Sequence, residues 1–309
     1  MVPGMAETRL VAAWLALLGM PGAGEKTVQR LAARCGGPDR VLAADESQWL
    51  AAHLTGPQLT WLRQAAARRD LFCRQAQVAG ARGIRFLLVG NPDYPSLLAA
   101  TPDPPPLLSC LGALQPEDAR AVAVIGTRTP CPQGAATAAF LARALGVSGV
   151  SVVSGLAAGI DAAAHGGTLA AGGRTLAVLG CGLEHCYPPQ HTSLATAVRL
   201  SGALLSECPP DALPSRQALL ARNRLQAGLA RAVVVVQARE KGGSYVAARR
   251  ALLLRRPVFA VQWGRPEFRA GCDRLAALGA VVGEAQDLVP RLLACAYDPA
   301  PPPQVPTLF

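Results

Sequence analysis

The stretch Val122-Ala123-Val124-Ile125-Gly126-Thr127-Arg128 decides the fold, because an apolar run ends abruptly in a glycine, a hydroxyl and a cation. A second junction of this kind, Val152-Val153-Ser154-Gly155, leads through Gly159 into a helical segment. Parallel strands buried on both faces are short apolar runs, and ligands of such sheets bind at the carboxyl ends of the strands. The two turns therefore predict an anion site on an α/β sheet, with helix N-termini directing backbone N–H groups towards the ligand.

The alternation of apolar and helical segments continues from residue 121 onwards. Strands are predicted at 122–125, 150–153, 175–179, 203–205, 233–236, 258–261 and 281–282. Helices are predicted between them at 134–145, 161–171, 191–200, 216–230, 243–254 and 272–278. Since crossovers between parallel strands are right-handed, this order predicts a Rossmann-like α/β domain with a doubly wound, mostly parallel sheet.

Two further segments precede this α/β region. Residues 9–80 have helical periodicity with a break at 19–24, and one helix is predicted from Glu25 to about Cys35. Prolines at 95 and 104–106 mark a connector that leads into the sheet. The predicted division is a small helical domain (1–80), the connector (81–120), the Rossmann-like domain (121–297) and a disordered, Pro-rich tail (298–309).

Composition excludes several classes of protein. The 309 residues are 51% hydrophobic, which is enough for an α/β core and one small domain. Apolar runs of about 18 residues are absent, and residues 1–9 lack the features of a signal peptide, so we expect a cytoplasmic protein that does not enter the membrane. The nine cysteines include no CxxC pair and are expected to be reduced.

Positive charge is concentrated in one part of the chain. The formal net charge is +10, and residues 216–274 contain thirteen lysines and arginines against three acidic residues. Apart from Lys26 and Lys241, all the cations are arginines, whose planar guanidinium groups suit phosphate and can also stack on bases. A clustered positive charge of this kind indicates nucleic acid as a partner, and less often an anionic membrane surface.

The glycine turns do not match a standard nucleotide site. The sequence after the first strand is Gly126-Thr127-Arg128-Thr129-Pro130 rather than G-x-G-x-x-G, and a GK[ST] phosphate loop is absent. No cofactor is therefore predicted.

Candidate catalytic and metal-binding groups are few. Asp161 and His165 lie four positions apart and could form an acid–base pair, but we favour a helix-capping Asp161 and a His165 bonded to a neighbouring loop. The cluster Cys181, His185, Cys186 and His191 lacks the paired spacing of zinc sites, and a packed strand-to-loop turn is the favoured alternative. Catalytic residues and metal ligands are accordingly not assigned.

A basic helix and a third glycine-rich turn complete the predicted anion site. Arg216 and Arg222-Asn223-Arg224 are predicted on one helix, and Lys241-Gly242-Gly243-Ser244 follows a strand. Since Arg222 and Arg224 would lie about 200° apart around a helix, we expect one to contact phosphate and the other to brace the fold. Such a surface fits an extended polyanion. The candidate DNA-binding residues are Gly126, Thr127, Arg128, Gly155, Gly159, Arg216, Arg222, Arg224, Lys241, Gly243 and Ser244.

A second candidate contact lies in the helical segment. The turn at residues 19–24 resembles a helix-hairpin-helix, in which Gly22 and Gly24 allow close approach to a DNA phosphate and Lys26 adds charge. An ordinary αα-hairpin that serves only packing is an equal alternative.

Taken in order, these motifs resemble the DNA-processing protein A (DprA/Smf) family over residues 90–290. The resemblance rests on Val124-Ile-Gly-Thr-Arg128, the run from Val153 to His165, Ala177-Val-Leu-Gly-Cys-Gly-Leu183, Leu204-Leu-Ser-Glu207, Arg222-Asn-Arg224 and Val258-Phe-Ala-Val261. It implies a homodimeric, non-enzymatic protein that binds and protects incoming single-stranded DNA in natural transformation and helps to load RecA. It also implies DNA contacts at Arg128 and Arg216.

The chain departs from the family pattern near this site. Ala158 replaces a common arginine, and Leu219 replaces an aromatic residue expected to stack on a base. Trp263 could substitute, although a packed tryptophan is favoured. The winged-helix-like domain of many members is not expected within these 309 residues. The alternatives that remain are a phosphoribohydrolase-like nucleotide enzyme and a duplex-DNA-binding module that uses the helical hairpin.

Overall fold

A computed structural model describes residues 5–240, 242–263 and 266–297, and the tail predicted at 298–309 lies outside these ranges. The described residues form one nine-stranded sheet with helices on both faces. The strands are β1 (Ile84–Leu88), β2 (Leu107–Gly112), β3 (Val122–Ile125), β4 (Val152–Ser154), β5 (Thr175–Val178), β6 (Ala203–Ser206), β7 (Ala232–Val235), β8 (Val258–Val261) and β9 (Val281–Gly283).

Six described helices precede the first strand: α1 (Met5–Leu18), α2 (Glu25–Cys35), α3 (Pro38–Ala43), α4 (Glu46–Leu50), α5 (Gly56–Ala67) and α6 (Arg69–Ala81). The remaining helices are α7 (Ser96–Ala99), α8 (Pro132–Val147), α9 (Ile160–Ala170), α10 (Thr192–Ser201), α11 (Arg216–Ala221), α12 (Asn223–Gly228), α13 (Gly243–Leu253), α14 (Pro266–Ala276) and α15 (Ala285–Tyr297). Within the described ranges, no helix combines the length and apolar character needed to span a bilayer.

The strand order places a topological switch point beside β3. The order is β1-β2-β6-β5-β4-β3-β7-β8-β9, and the seven strands from β3 to β9 pair in parallel. Since the chain moves outwards from β3 to one side and returns to place β7 on the other, a crevice opens at the carboxyl ends of β3 and β7. The predicted doubly wound α/β sheet is confirmed.

Alternate side chains of β3 enter the two halves of the core. Val122 and Val124 pack in the cluster that contains α8 and α15, whereas Ala123 and Ile125 pack in the cluster that contains α12 and α13. All four residues are buried. Burial on both faces explains why this strand is a continuous apolar run rather than an alternating one.

The segment 81–120, predicted as a connector that leads into the sheet, contains two strands that were not predicted, β1 and β2. β1 pairs antiparallel with β2 through Ile84 and Leu111, and β2 pairs antiparallel with β6 through Ser109 and Ser206. The prolines at 104–106 end immediately before β2 and therefore leave its ladder intact.

The helical region is joined to the sheet by a shared apolar cluster. Its own core includes Leu17, Val28 and Leu62, and α2 has the bounds predicted for it. A separate cluster packs Val11 and Leu15 of α1 against residues of β1 and β2. Removing the helical region would therefore expose one edge of the sheet core.

Candidate functional site

A cleft of about 590 Å³ lies at the carboxyl ends of β3 and β7, where the sheet topology switches. The turn after β3 forms one wall, and helices α11, α12 and the start of α13 form the other. Its polar lining comprises Thr127, Arg128, Thr129, Asp161, Tyr187, Ser215, Arg216, Arg222, Asn223, Gln226, Arg239 and Ser244.

Two glycines hold the turn after β3 against the loop after β4. A Cβ at Gly126 would lie 2.5 Å from Cγ1 of Ile160, and one at Gly159 would lie 2.5 Å from the carbonyl oxygen of Thr127. Gly159 also has φ +83° and ψ −123°, which side-chain-bearing residues rarely adopt. The backbone N–H of Ile160 donates to Thr127 O at 3.2 Å, so the two predicted turns do lie side by side. Arg128 is exposed at the outer end of this turn.

The floor of the cleft carries a buried ion pair. Nη2 of Arg222 lies 3.5 Å from Oδ2 of Asp161, and both side chains are almost fully buried. Burial raises the pKa of Asp161 and lowers that of Arg222, while their mutual attraction opposes both shifts. A Cβ at Gly155 would lie 1.4 Å from Nη1 of Arg222. Gly155 therefore provides the space for this guanidinium group and does not itself line the cleft.

His165 is a buried structural residue. Its Nε2 accepts the N–H of Leu156 at 3.3 Å, and its Nδ1 lies 2.7 Å from Oγ1 of Thr175. Burial and the positive charge of Arg222 lower its pKa to about 3, so the ring is neutral at physiological pH. The favoured loop-bonding role of His165 is confirmed. The expectation that Asp161 caps the helix is wrong. The N-cap of α9 is Gly159, without a side-chain hydrogen bond, and Asp161 in the first turn accepts the N–H of Ala157 in the preceding loop at 3.4 Å.

The opposite wall presents two more arginines and a helix N-terminus. Arg216 is exposed at the start of α11, where Ser215 caps the helix by accepting the N–H of Ala218 at 3.1 Å. Nη2 of Arg239 donates to Oγ1 of Thr129 at 3.2 Å and links the two walls. Helix α13 begins after Gly242 without a side-chain cap, so Gly243 and Ser244 offer a first turn facing the cleft.

Seven of the predicted site residues come together in the cleft: Gly126, Thr127, Arg128, Arg216, Arg222, Gly243 and Ser244. Lys241 lies outside the described residues. Gly155 and Gly159 are not lining residues: Gly155 leaves space for the guanidinium group of Arg222, and Gly159 allows the close approach of Thr127. Arg224 points elsewhere, because it donates to the carbonyl oxygen of Asp103 at 2.7 Å and forms an ion pair with Glu207.

The helix predicted at 216–230 is divided into α11 and α12 at Arg222. Arg222 and Arg224 nevertheless diverge, as predicted from their spacing. Both are braced by carboxylates, Arg222 in the cleft floor and Arg224 outside it. The expectation that one arginine braces the fold thus applies to both, and only Arg222 also lines the cleft.

The cleft is also lined by Arg239, Tyr187 and Gln226, which were not predicted from the sequence. Arg239 lies in the loop that follows β7, the parallel neighbour of β3. Because ligands of parallel sheets bind at the carboxyl ends of the strands, the reasoning that predicted Arg128 applies equally to Arg239. Tyr187 is 37% exposed and lines the same cleft as Leu219, the position where the motif pattern suggests an aromatic residue. Trp263 is buried, and its Nε1 donates to Val236 O at 2.5 Å. The exposed aromatic surface in the cleft is therefore that of Tyr187.

The cysteine–histidine cluster is held by backbone groups. Nε2 of His185 lies 3.0 Å from Asp211 O, and Nδ1 of His191 lies 2.7 Å from Leu156 O. The thiols of Cys181 and Cys186 donate to the carbonyl oxygens of His185 and Pro188, respectively. Across the described ranges, no group of three or more metal-ligating side chains is arranged to hold an ion.

The helical hairpin has the geometry of the predicted turn. Gly22 has φ +65°, and Gly24 precedes α2 without a side-chain cap. Lys26 is exposed in the first turn of α2. The structure is therefore compatible with both a phosphate contact and a packing role for this turn.

Sequence similarity to known proteins covers most of the residues that form the sheet. A family model described as DNA recombination-mediator protein A matches residues 85–292. Protein Smf of Synechocystis is 42% identical over 204 residues, which cover 64% of this chain and 51% of that protein. DNA processing protein DprA of Bacillus subtilis is 36% identical over 181 residues, covering 58% of this chain and 61% of that protein. The chain thus spans between half and two thirds of the length of these relatives.

Two solved structures have the same architecture. DNA processing protein A of Streptococcus pneumoniae matches with a TM-score of 0.75 at 26% identity, covering 90% of this chain and 97% of that chain. DNA processing protein A of Helicobacter pylori, a structure described for its single-stranded DNA binding mode, matches with a TM-score of 0.61 at 32% identity. That match covers 68% of this chain and 96% of the other.

Proposed function

Because the chain belongs to the DNA recombination-mediator protein A family, we propose that its cleft binds the backbone of single-stranded DNA. One observation carries the proposal. The described lining contains four arginines, Arg128, Arg216, Arg222 and Arg239, and one carboxylate, Asp161, which is already paired with Arg222. The resulting excess of positive charge favours an anionic ligand.

The shape of the cleft favours a strand over a single phosphate group. Positive side chains stand on both walls, and the uncapped N-terminus of α13 adds backbone N–H groups to one of them. Tyr187 and Leu219 provide an aromatic and an apolar surface beside these groups. Phosphate contacts combined with a stacking surface bind single strands with little dependence on base sequence.

The same lining supports a binding role rather than catalysis. Among the described lining residues there is neither histidine nor cysteine, and the carboxylate of Asp161 is held by Arg222. The neutral His165 lies behind the floor with both ring nitrogens engaged. A phosphoribohydrolase-like activity would need a free acid or base in the cleft. Release of free base from nucleotides by the purified protein would support that alternative.

The broader role follows from the family. We propose a protein that protects incoming DNA in natural transformation, helps to load RecA, and acts as a homodimer. Positioning DNA through its backbone leaves the bases available for a recombinase, which suits this role. RecA loading is tested by following ATP hydrolysis by RecA on DNA already coated with a single-strand-binding protein, with and without this chain. Sedimentation velocity tests the dimer.

The direct test is a fluorescence titration with labelled oligonucleotides at several salt concentrations. Binding should weaken as salt rises, with a logarithmic slope of about −0.7 for each phosphate neutralised. A duplex of the same length should bind more weakly, because its paired and stacked bases are not free to stack on Tyr187. Lack of affinity for single strands at low salt would refute the proposal, and a preference for duplex would favour the hairpin module.

A further inference from the structure

Helix α2 has a basic face that is separate from the cleft. Lys26, Arg30 and Arg34 are all exposed and lie four positions apart. Positions four apart differ by about 40° around a helix, so the three side chains lie within about 80° of each other along about 12 Å. Val28 and Leu31 on the opposite face are buried in the helical core. We call these three residues the α2 basic face.

The cations of the α2 basic face are available to a ligand. Among the side chains that the structure describes, we find no ion pair or hydrogen bond partner for Lys26, Arg30 or Arg34. At the start of the same helix, Gly24 places no side chain over the N–H groups of the first turn. Positive side chains and unsatisfied N–H groups therefore lie on one element, a combination that favours phosphate.

Two hydrogen bonds and the backbone between them connect α2 to the floor of the cleft. Nε2 of Gln29, the neighbour of Arg30, donates to Pro104 O at 2.7 Å. The preceding residue, Asp103, accepts a hydrogen bond from Arg224 on its carbonyl oxygen. Arg224 is two residues beyond Arg222 in the cleft floor, so the α2 basic face is fixed relative to the cleft.

The carboxylates along this connection are neutralised. Asp103 forms an ion pair with Arg250, and Glu207 forms one with Arg224. A polyanion passing from the cleft to α2 would therefore meet paired rather than free negative charges at these two positions. This removes the electrostatic repulsion that would otherwise separate the two basic surfaces.

We infer that the α2 basic face is a second binding surface for DNA phosphates, which holds the same single strand after it leaves the cleft. The inference rests on the proposed function of the cleft and extends it. A strand must be long enough to reach both surfaces, so the contribution of α2 depends on oligonucleotide length. A flexible single strand can follow both surfaces, whereas a stiff duplex would have to lie straight across them.

The test compares the triple variant K26A/R30A/R34A with a matched control, R74A/R143A/R199A. The control also removes three exposed helical charges, from α6, α8 and α10. Both are titrated with single strands of about six and about thirty nucleotides. On the longer strand, the α2 variant should reduce the salt slope by about 2, since each lost phosphate contact accounts for about 0.7. On the shorter strand it should behave like the unmodified protein.

The outcomes separate the two proposals. Equal salt slopes for the α2 variant and the unmodified protein on the longer strand would overturn the inference while leaving the cleft proposal intact. Loss of affinity for duplex alone would also overturn it, since α2 would then serve a different ligand. If the unmodified protein binds neither strand, the function proposed for the cleft fails and the α2 inference fails with it.

Discussion

The carboxylate of Asp161 and the guanidinium of Arg222 meet at 3.5 Å in the floor of the cleft, although 61 positions separate them in the chain. Nε and Nη1 of this arginine find no hydrogen-bond partner within the described residues. A buried pair with donors left over is a weak source of stability, because desolvation offsets most of the attraction. Because Arg222 lines the cleft, the pair places a buried guanidinium group at the cleft floor.

Replacing Asp161 by asparagine should destabilise the fold. The substitution leaves the guanidinium of Arg222 buried without a counter-charge, which costs about 3 kcal/mol. Urea unfolding measures the effect. Asp93→Asn, which removes an exposed carboxylate, is the control and should change stability by less than about 0.5 kcal/mol. Equal stability of the two variants would show that the pair does not hold Arg222 in place.

Gly155→Ala should disrupt the floor of the cleft. A methyl group there would overlap the guanidinium of Arg222, which is enclosed and cannot move freely. We expect a loss of at least about 2 kcal/mol in the free energy of unfolding. Gly166→Ala in α9 is the matched control, because its Cβ meets nothing within 4 Å, and it should stabilise the helix by up to about 1 kcal/mol. An unchanged free energy of unfolding in Gly155→Ala would contradict the close packing of Gly155 against Arg222.

Stability should fall as the pH is lowered through the range in which an unfolded histidine titrates. The folded pKa of His165, about 3, is lower than that of an exposed histidine, about 6.5. The unfolded state therefore binds a proton that the folded state does not, and the contribution of His165 is fully present only above about pH 6.5. Between pH 7 and pH 5 the loss should be about 2 kcal/mol.

The measurement is urea unfolding at several pH values, compared with His165→Gln. The variant has no group that titrates at this position, so its stability should depend less steeply on pH between 7 and 5. If the free energy of unfolding depends equally on pH in the two proteins, protonation of His165 does not oppose folding.

Arg128→Ala should weaken binding of single-stranded DNA. Arg128 is exposed at the end of the turn after β3 and lines the cleft. Losing one phosphate contact should reduce the salt slope by about 0.7. Fluorescence anisotropy provides the readout, and Arg143→Ala, an exposed arginine on α8, is the control. An effect no larger than that of the control would remove Arg128 from the interface.

Arg224→Ala should lower the stability of the fold and leave DNA binding unchanged. Arg224 braces the chain through Glu207 and the carbonyl of Asp103, so its loss should cost about 2 kcal/mol of stability. The salt slope of DNA binding should stay that of the unmodified protein. A reduced slope with unchanged stability would instead assign Arg224 to the DNA, as its place in the sequence first suggested.

The sheet and the turn that forms its site could be predicted because their signals are local. Val122 to Ile125 is apolar at every position, which identifies a strand buried on both faces, and Gly126-Thr127-Arg128 marks where it ends. The strands β1 and β2 could not be predicted in the same way. Their short runs are separated by prolines, and only pairing with each other and with β6 makes them strands.

By itself, the sequence determined the α/β alternation, the glycine turns and the concentration of arginines after residue 216. Only the tertiary structure decided which arginines face the cleft and which are braced. That choice depends on partners far along the chain, because the carboxylate of Asp161 reaches Arg222 from 61 positions away and the carbonyl oxygen of Asp103 reaches Arg224 from 121 positions away. Helical spacing indicates that two such arginines diverge, but the partner of each is set by packing between distant elements.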